Sequence, residues 1–165
     1  MTDRIDGIVE QWQRERPELE LEPLAIVGRL LRAAALVNSA LGRGVAELGL
    51  QPGWFDVLAA LRRAGPPYAL NPAQLLKTMM VTSGGLTKRL DRLVEAGLVE
   101  RSADPDDRRG TRVRLTPRGR AIIDRAIAVH VWNEAALLDG LTATERQTLD
   151  GLLRKLLARL EESPL

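Results

Sequence analysis

The spacing of the apolar residues changes abruptly near the middle of the chain. Between residues 71 and 96, apolar side chains recur every three or four positions, which is the periodicity of a helix with one buried face. After Gly97, the segments 98–101 and 112–115 are short, contain leucine and valine, and are typical of strands. Residues 103–110 between them are polar and include proline and glycine, which predicts a loop. The pattern predicts two short helices, a tight turn between them and a β-hairpin.

Local signals set the limits of the two helices. Asn71-Pro72 combines an N-cap residue with a proline suited to the first helical position, so the first helix begins there and runs through Met79. A break over residues 80–82 separates it from the second helix, which is predicted over about 83–96 with Gly97 as its C′ residue. Residues 68–70, ahead of the pair, are long enough only for a minimal strand.

Further helices are predicted on both sides of this central segment. They are a short amphipathic helix within 1–23, with a break bracketed by Pro17 and Pro23; a long helix over 24–48, ended by Gly49; a helix opening at Pro52; a helix from Thr116-Pro117 to Gly140; and a last helix opened by the capping box Thr142–Glu145. The predicted fold class is therefore mainly α with a small β-hairpin. A helix-turn-helix followed by a hairpin is a winged helix-turn-helix, whose second helix lies in the major groove of DNA.

The central segment is also the basic part of the chain. The formal net charge is only +2, but residues 88–120 contain ten lysines and arginines against six acids. This distribution predicts contact with a polyanion. On a helical wheel of the second helix, the apolar side carries Leu86, Leu90, Leu93 and Val94. The opposite side is polar, and we predict DNA contacts there from Ser83, Gly84, Thr87, Lys88 and Arg92.

The predicted hairpin loop brings further cations beside that helix. Arg108 and Arg109 are predicted at its tip, where long cationic side chains can enter a narrow minor groove, and Arg112 follows in the second strand. Asp107 is placed to brace an arginine by an ion pair. The alternatives from the residues alone are a charged turn and an amphipathic helix whose polar sides are simply solvated.

Composition excludes several other classes of function. The chain has no cysteine and one histidine, His130, so disulfides, thiolate zinc sites and cysteine redox sensing are absent. We expect no cofactor and no metal. The N-terminus lacks the basic stretch and apolar core of a signal peptide, and no apolar run approaches the roughly 18–20 residues that span a bilayer. A soluble, cytoplasmic protein is therefore expected.

The segment Asp104–Gly119 carries a family resemblance. Its residues, DPDDRRGTRVRLTPRG, contain every fixed position of the wing signature DPxDRRxxxVxLTxxG of the MarR family, and residues 83–99 resemble the family's recognition helix. The resemblance spans about residues 24–160. It implies a homodimer with intertwined terminal helices, which binds a palindromic promoter site, usually as a repressor released by a small molecule.

The resemblance also implies a division of the chain. Residues 1–165 would form a single MarR-type domain, with 52–116 as the winged DNA-binding lobe and 1–48 together with 117–165 as a helical dimerisation region drawn from both termini. The apolar surface of the long helix 24–48 and of the leucine-rich last helix supports dimerisation. The alternative is that these helices pack only within the monomer.

Within that family, the chain resembles the urate-responsive branch. That branch has an N-terminal helix with a tryptophan, an aspartate before the helix-turn-helix, an arginine in the recognition helix and a basic residue near the first wing strand. The matching residues are Trp12, Asp56, Arg89 and Arg101. The resemblance implies that they bind a small aromatic or purine-like anion. Read from the residues alone, Trp12 could be a core residue, Asp56 a solvated charge and Arg101 a phosphate contact.

Two other classes of function are less consistent with the residues. An enzyme would need converging acid, base or metal groups, and the acids here are scattered along predicted solvated faces. The second alternative is a winged-helix module that binds proteins and not DNA. Such a module needs no basic hairpin, so Arg108, Arg109 and Arg112 argue against it.

Overall fold

The computed structural model describes residues 2–79, 85–104 and 107–162, with the side chains of residues 107–109 left out. In chain order the elements are α1 (Arg4–Glu15), α2 (Glu22–Ala46), α3 (Trp54–Arg63), β1 (Ala69–Leu70), α4 (Pro72–Thr78), α5 (Leu86–Glu95), β2 (Val99–Asp104), β3 (Asp107–Leu115), α6 (Pro117–Leu137) and α7 (Ala143–Glu162). The predicted fold class is confirmed. The chain divides into two compact units, residues 1–43 and 44–165.

In the first unit, α1 is held on α2 by an ion pair and an apolar contact. Asp3 caps α1 by accepting hydrogen bonds from the backbone N–H groups of Ile5 at 2.7 Å and Asp6 at 3.1 Å. Arg29 of α2 donates from Nε to Asp3 Oδ2 at 2.7 Å, and this hydrogen bond lowers the pKa of the Asp3 carboxyl. Ile5 is buried, and Gly28 leaves room for it, since a Cβ on Gly28 would lie 3.3 Å from Ile5 Cγ2.

The second unit has one apolar core, which is built around α3. Five consecutive side chains of α3 are buried because neighbouring elements cover that helix on several sides. The largest fully buried side chains come from α3, α4, α5, both long strands and α6: Val57, Leu58, Leu61, Leu75, Leu93, Val99, Val113 and Ile123. This shared core fixes α4, α5 and the sheet to the same support.

The three strands form one antiparallel sheet in the order β1-β3-β2. The predicted minimal strand is present as β1, which pairs with residues 113–114 of β3. The prediction of a loop over 103–110 was wrong, because β2 continues to Asp104 and β3 begins at Asp107. Residues 101–103 of β2 and Thr111 of β3 are exposed, so polar residues can extend the two strands there as well as apolar ones. The register shifts between the pairs Ala103–Thr111 and Asp104–Asp107, which leaves residues 108–110 of β3 between them.

The predicted N-caps of the helices around the sheet are confirmed. Asn71 accepts a hydrogen bond from the N–H of Gln74 at 2.8 Å, and Thr116 accepts one from Gly119 at 2.9 Å. Gly119 also allows the start of α6 to approach β2 closely, since a Cβ there would lie 1.9 Å from the carbonyl oxygen of Leu98. The backbone geometry at Gly119 therefore fixes where α6 begins relative to the hairpin.

Several predicted helix limits were wrong by a few residues. Helix α2 begins at Glu22, so Pro23 lies in its first turn and does not bound a break. Gly53, with φ of 77°, is the N-cap of α3, which leaves Pro52 outside that helix. The same proline would have suited a helix beginning two residues earlier, so its local preference did not decide the start.

Helix α2 corrects the expectation that no apolar segment reaches membrane-spanning length. Among the described residues it is the one helix that is long and apolar enough to cross a membrane, with a mean hydropathy of 1.5. Length and composition alone are weak evidence for a membrane segment, because core helices of soluble proteins share both. Much of the apolar surface of α2 is exposed in the single chain, as at Ile26 and Leu31.

Candidate nucleic-acid interface

The helix-turn-helix is formed by α4 and α5. Helix α4 is anchored at its end by Arg63 of α3, which donates to the carbonyl oxygen of Thr78 at 2.9 Å. Helix α5 begins after Gly85, whose φ of 79° is a left-handed conformation that glycine adopts readily. The intervening residues 80–84 lie outside the described residues, and with them the predicted contacts Ser83 and Gly84.

Helix α5 has the two-sided character that the sequence predicted. Leu86, Leu90 and Leu93 are buried in the core of the second unit. The polar residues Thr87, Lys88 and Arg92 are exposed. One residue of the predicted apolar side was wrong, since Val94 is 37% exposed. The exposed side of α5 thus carries two cations and a hydroxyl that can reach base edges or phosphates.

The hairpin has an ion pair close to its turn. Asp104 is buried, and its Oδ1 lies 3.5 Å from Nε of Arg112 on the facing strand. Arg112 is therefore a partly buried residue that also contributes to the structure of the hairpin. The backbones of Arg108 and Arg109 lie in β3, directly beyond Asp107, and not in a loop. Their side chains, and the predicted bracing by Asp107, are outside the described residues.

A contact between β2 and α5 was missed by sequence reasoning. Arg101 of β2 places Nη2 2.7 Å from Oδ1 of Asp91 on α5. In the sheet Arg101 pairs with Val113, which is buried, so both side chains project from the same face. The neighbouring pair, Glu100 and Arg114, forms an ion pair on the other face. The strand register places Arg101 on the face of the sheet that α5 covers. The sequence alone predicted shorter strands and did not give that register.

Arg89 occupies an unusual position among the predicted effector residues. Its guanidinium lies against Gly53 at the N-terminus of α3, where a Cβ would be only 2.4 Å from Arg89 Cζ. Its Nη1 is buried and has no hydrogen-bond partner among the described residues. Asp56 lies in the first turn of the same helix α3, half-buried, with no ion pair to Arg89 in the described part of the chain.

The other two predicted effector residues are placed differently. Arg101 contacts Asp91, which lies two positions after Arg89 on α5 and so projects nearly to the opposite side of that helix. Trp12 belongs to α1 in the first unit and is 45% exposed, so it is not a core residue of that unit. The described residues contain no cluster of three or more histidine, aspartate and glutamate side chains able to hold a metal ion.

Known proteins resemble this chain over most of its length. The sequence profile described as the MarR family matches residues 48–110. The transcriptional regulator PecS of Dickeya dadantii is 39% identical over 158 residues, covering 96% of this chain and 93% of PecS. A solved structure of a mutant MarR from Escherichia coli bound to operator DNA has a TM-score of 0.71 and 34% identity, covering 83% of this chain and 97% of that one.

The chain belongs to the MarR family. As a MarR-family protein it is a DNA-binding transcriptional regulator and not an enzyme, and its fold is the winged helix-turn-helix. A further MarR-like structure is BpsR of Bordetella bronchiseptica, whose DNA binding is regulated by 6-hydroxynicotinic acid. It has a TM-score of 0.69 and 30% identity, covering 79% of this chain and 91% of BpsR.

Proposed function

We propose that this MarR-family regulator is a cytoplasmic homodimeric repressor, which binds a palindromic promoter site and is released by a small anionic effector. The observation that carries the proposal is the exposed basic side of α5 beside an extended hairpin, in a chain whose relative MarR is known bound to operator DNA. In this account α5 enters the major groove and the hairpin reaches the adjacent minor groove.

The proposed DNA contacts are the polar and cationic residues that the sequence predicted on the recognition helix and the hairpin. On the recognition helix and the residues before it they are Ser83, Gly84, Thr87, Lys88 and Arg92; on the hairpin they are Arg108, Arg109 and Arg112. The exposure of Lys88 and Arg92 supports direct contact with DNA. Arg112 is tied to Asp104, so its contribution is to shape the hairpin as well as to contact phosphate.

The proposed dimer is supported by apolar surface that a single chain leaves uncovered. Exposed large apolar residues are concentrated on α2, α6 and α7, and Trp132 of α6 is 71% exposed. Large exposed apolar patches are rare on soluble monomers and mark interaction surfaces. A second copy that covers residues 1–48 and 117–165 accounts for it without a membrane. The 52–116 lobes of the two copies then form a two-fold pair, which requires a symmetric DNA site.

The proposed effector site is centred on Arg89 and Asp56. A buried guanidinium N–H without an acceptor is costly, and the N-terminus of α3 adds positive electrostatic potential at the same place. An anion at this end of α3 would relieve both. Asp56 can accept a hydrogen bond from a ring N–H, so urate or a related purine fits the residues. The regulation of BpsR by an aromatic acid supports this class of ligand.

Arg89 also links the proposed effector site to the DNA-binding helix α5. It lies on α5, between the N-terminus of α3 and the DNA-facing side of the same helix. A ligand that draws Arg89 away from Gly53 would shift α5 and weaken its fit to the groove. The family resemblance also implies Trp12 and Arg101 as ligand residues, and in the single chain Arg101 contacts Asp91.

An effector titration tests this site. Urate added to the protein bound to DNA from upstream of its own gene is expected to release the DNA from the wild type. Arg89→Gln should keep DNA binding but reduce the response to urate by about tenfold or more, because a lost charge-assisted hydrogen bond costs about 1.5–3 kcal/mol. Fluorescence anisotropy of labelled DNA measures the release.

Arg125→Gln is the matched control for that titration. Arg125 is an exposed arginine of α6, and its removal changes the net charge by the same amount. It should respond to urate like the wild type. Equal responses of all three proteins to urate would contradict the role of Arg89, whereas the same DNA affinity in all three would leave the DNA-binding proposal intact.

A further inference from the structure

An acid interrupts the basic side of α5. Asp91 lies three residues after Lys88 and directly before Arg92, and both cations are exposed. Side chains three positions apart on a helix are neighbours, so the Asp91 carboxylate lies beside Lys88, one of the two cations that are proposed to face DNA. Duplex DNA carries about one negative charge per 1.7 Å of its axis. A free carboxylate at this position would therefore oppose the binding of DNA.

The structure gives this carboxylate a cation from outside the helix. Arg101 of β2 lies 2.7 Å from it, while Lys88 and Arg92 make no ion pair with it among the described residues. The sheet register explains why Arg101 can reach it. Arg101 pairs with buried Val113 and so projects from the face of the sheet that is covered by the core, to which α5 also belongs.

This ion pair contributes little to the stability of the fold. Both side chains are more than a third exposed, and exposed pairs contribute little to stability because solvent screens them. The pair matters more for DNA affinity than for stability, since the DNA phosphates would repel an Asp91 carboxylate that has no cation beside it.

We propose that Arg101 is a positioning residue for DNA binding, which neutralises Asp91 on the recognition helix and keeps its carboxylate away from the phosphates. Arg101 then acts through Asp91 and not by contacting a phosphate itself. The inference rests on the proposed DNA-facing side of α5.

A double-mutant cycle in the full-length protein tests it. The four proteins are wild type, Arg101→Gln, Asp91→Asn and the double variant. Both side chains are partly exposed, and each replacement is similar in shape to the original residue. Each protein is titrated into a labelled mixed-sequence duplex at about 50 and about 200 mM salt. We expect Arg101→Gln to weaken binding by about tenfold, and Asp91→Asn alone to bind within about twofold of the wild type. The double variant should recover to within about twofold of the wild type, with the same salt slope.

Two outcomes would overturn the inference. An equal loss from Arg101→Gln in both backgrounds, with a salt slope lower by about one, would make Arg101 a direct phosphate contact. No loss from Arg101→Gln would make the pair irrelevant to DNA. Lys88→Gln separates these failures from a wrong choice of DNA-facing side. If Lys88→Gln also binds like the wild type, the proposed face itself is wrong and the inference fails with it.

Discussion

Replacing Leu152 and Leu157 of α7 by aspartate is expected to convert the protein to monomers and to weaken binding to its DNA site by about a hundredfold or more. The two leucines are 62% and 55% exposed in the single chain, so the change does little to the core of one copy. In the proposed dimer each leucine would contribute roughly 1.5–3 kcal/mol by burial, and an unpaired aspartate in its place costs more. Leu153, which is partly buried within the chain, is a poorer choice because its replacement would also disturb the monomer.

The loss of DNA affinity follows from the loss of the second half-site. A monomer reaches only one half of a symmetric site, and the gain from linking two binding lobes, about 10²–10⁴ in affinity, disappears. Sedimentation equilibrium measures the association state and anisotropy measures the affinity. Ala158→Asp is the control, since Ala158 is an exposed residue on the same helix, about 100° or more around the helix from either leucine. A double variant that remains dimeric would refute the placement of the interface.

The double variant Lys88→Ala, Arg92→Ala is expected to reduce DNA affinity by about thirtyfold at the least. Each contact to a base edge or phosphate is worth roughly 1–3 kcal/mol, and the two side chains are exposed on the same helix. If both contact phosphates, the slope of log affinity against log salt falls by about two. Titrations at several salt concentrations measure the affinity and the slope together.

A variant of equal charge provides the comparison for this experiment. Arg125→Ala with Lys155→Ala also removes two exposed cations, but from α6 and α7, outside the proposed winged lobe. It should remain a dimer in sedimentation equilibrium and bind DNA nearly as well as the wild type. Equal losses of DNA affinity in the two variants would mean that binding depends only on the net charge of the protein. That result would contradict the recognition role of α5.

Local signals predicted most helix starts because each depends on a few adjacent residues. Asn71 and Thr116 cap the helices that they were expected to cap, with the hydrogen bonds that these side chains form. The burial of Leu86, Leu90 and Leu93 followed from helical spacing alone. The start of α3 did not, since Gly53 adopts a left-handed conformation and its lack of a Cβ leaves room for Arg89, a residue 36 positions later in the chain.

The candidate site was less predictable, because it depends on pairing between distant segments. The length of β2 and β3 determines that Arg101 pairs with Val113 and so reaches Asp91. A polar segment such as 103–110 carries no apolar alternation from which that register could be deduced. The unsatisfied Nη1 of Arg89 likewise appears only when α5 is placed against α3. The sequence predicted Arg89 and Arg101 as site residues, but the residues that they contact could be identified only from the structure.

Selection of bound sequences from a random duplex library, with the purified full-length protein at low salt, tests the central claim most directly. The account predicts enrichment of one symmetric sequence, whose two half-sites are about 10 base pairs apart from centre to centre. It also predicts that a duplex with a single half-site binds far more weakly. Recovery of an asymmetric sequence, or of no enriched sequence at all, would contradict a homodimer that reads DNA through α5 and the hairpin.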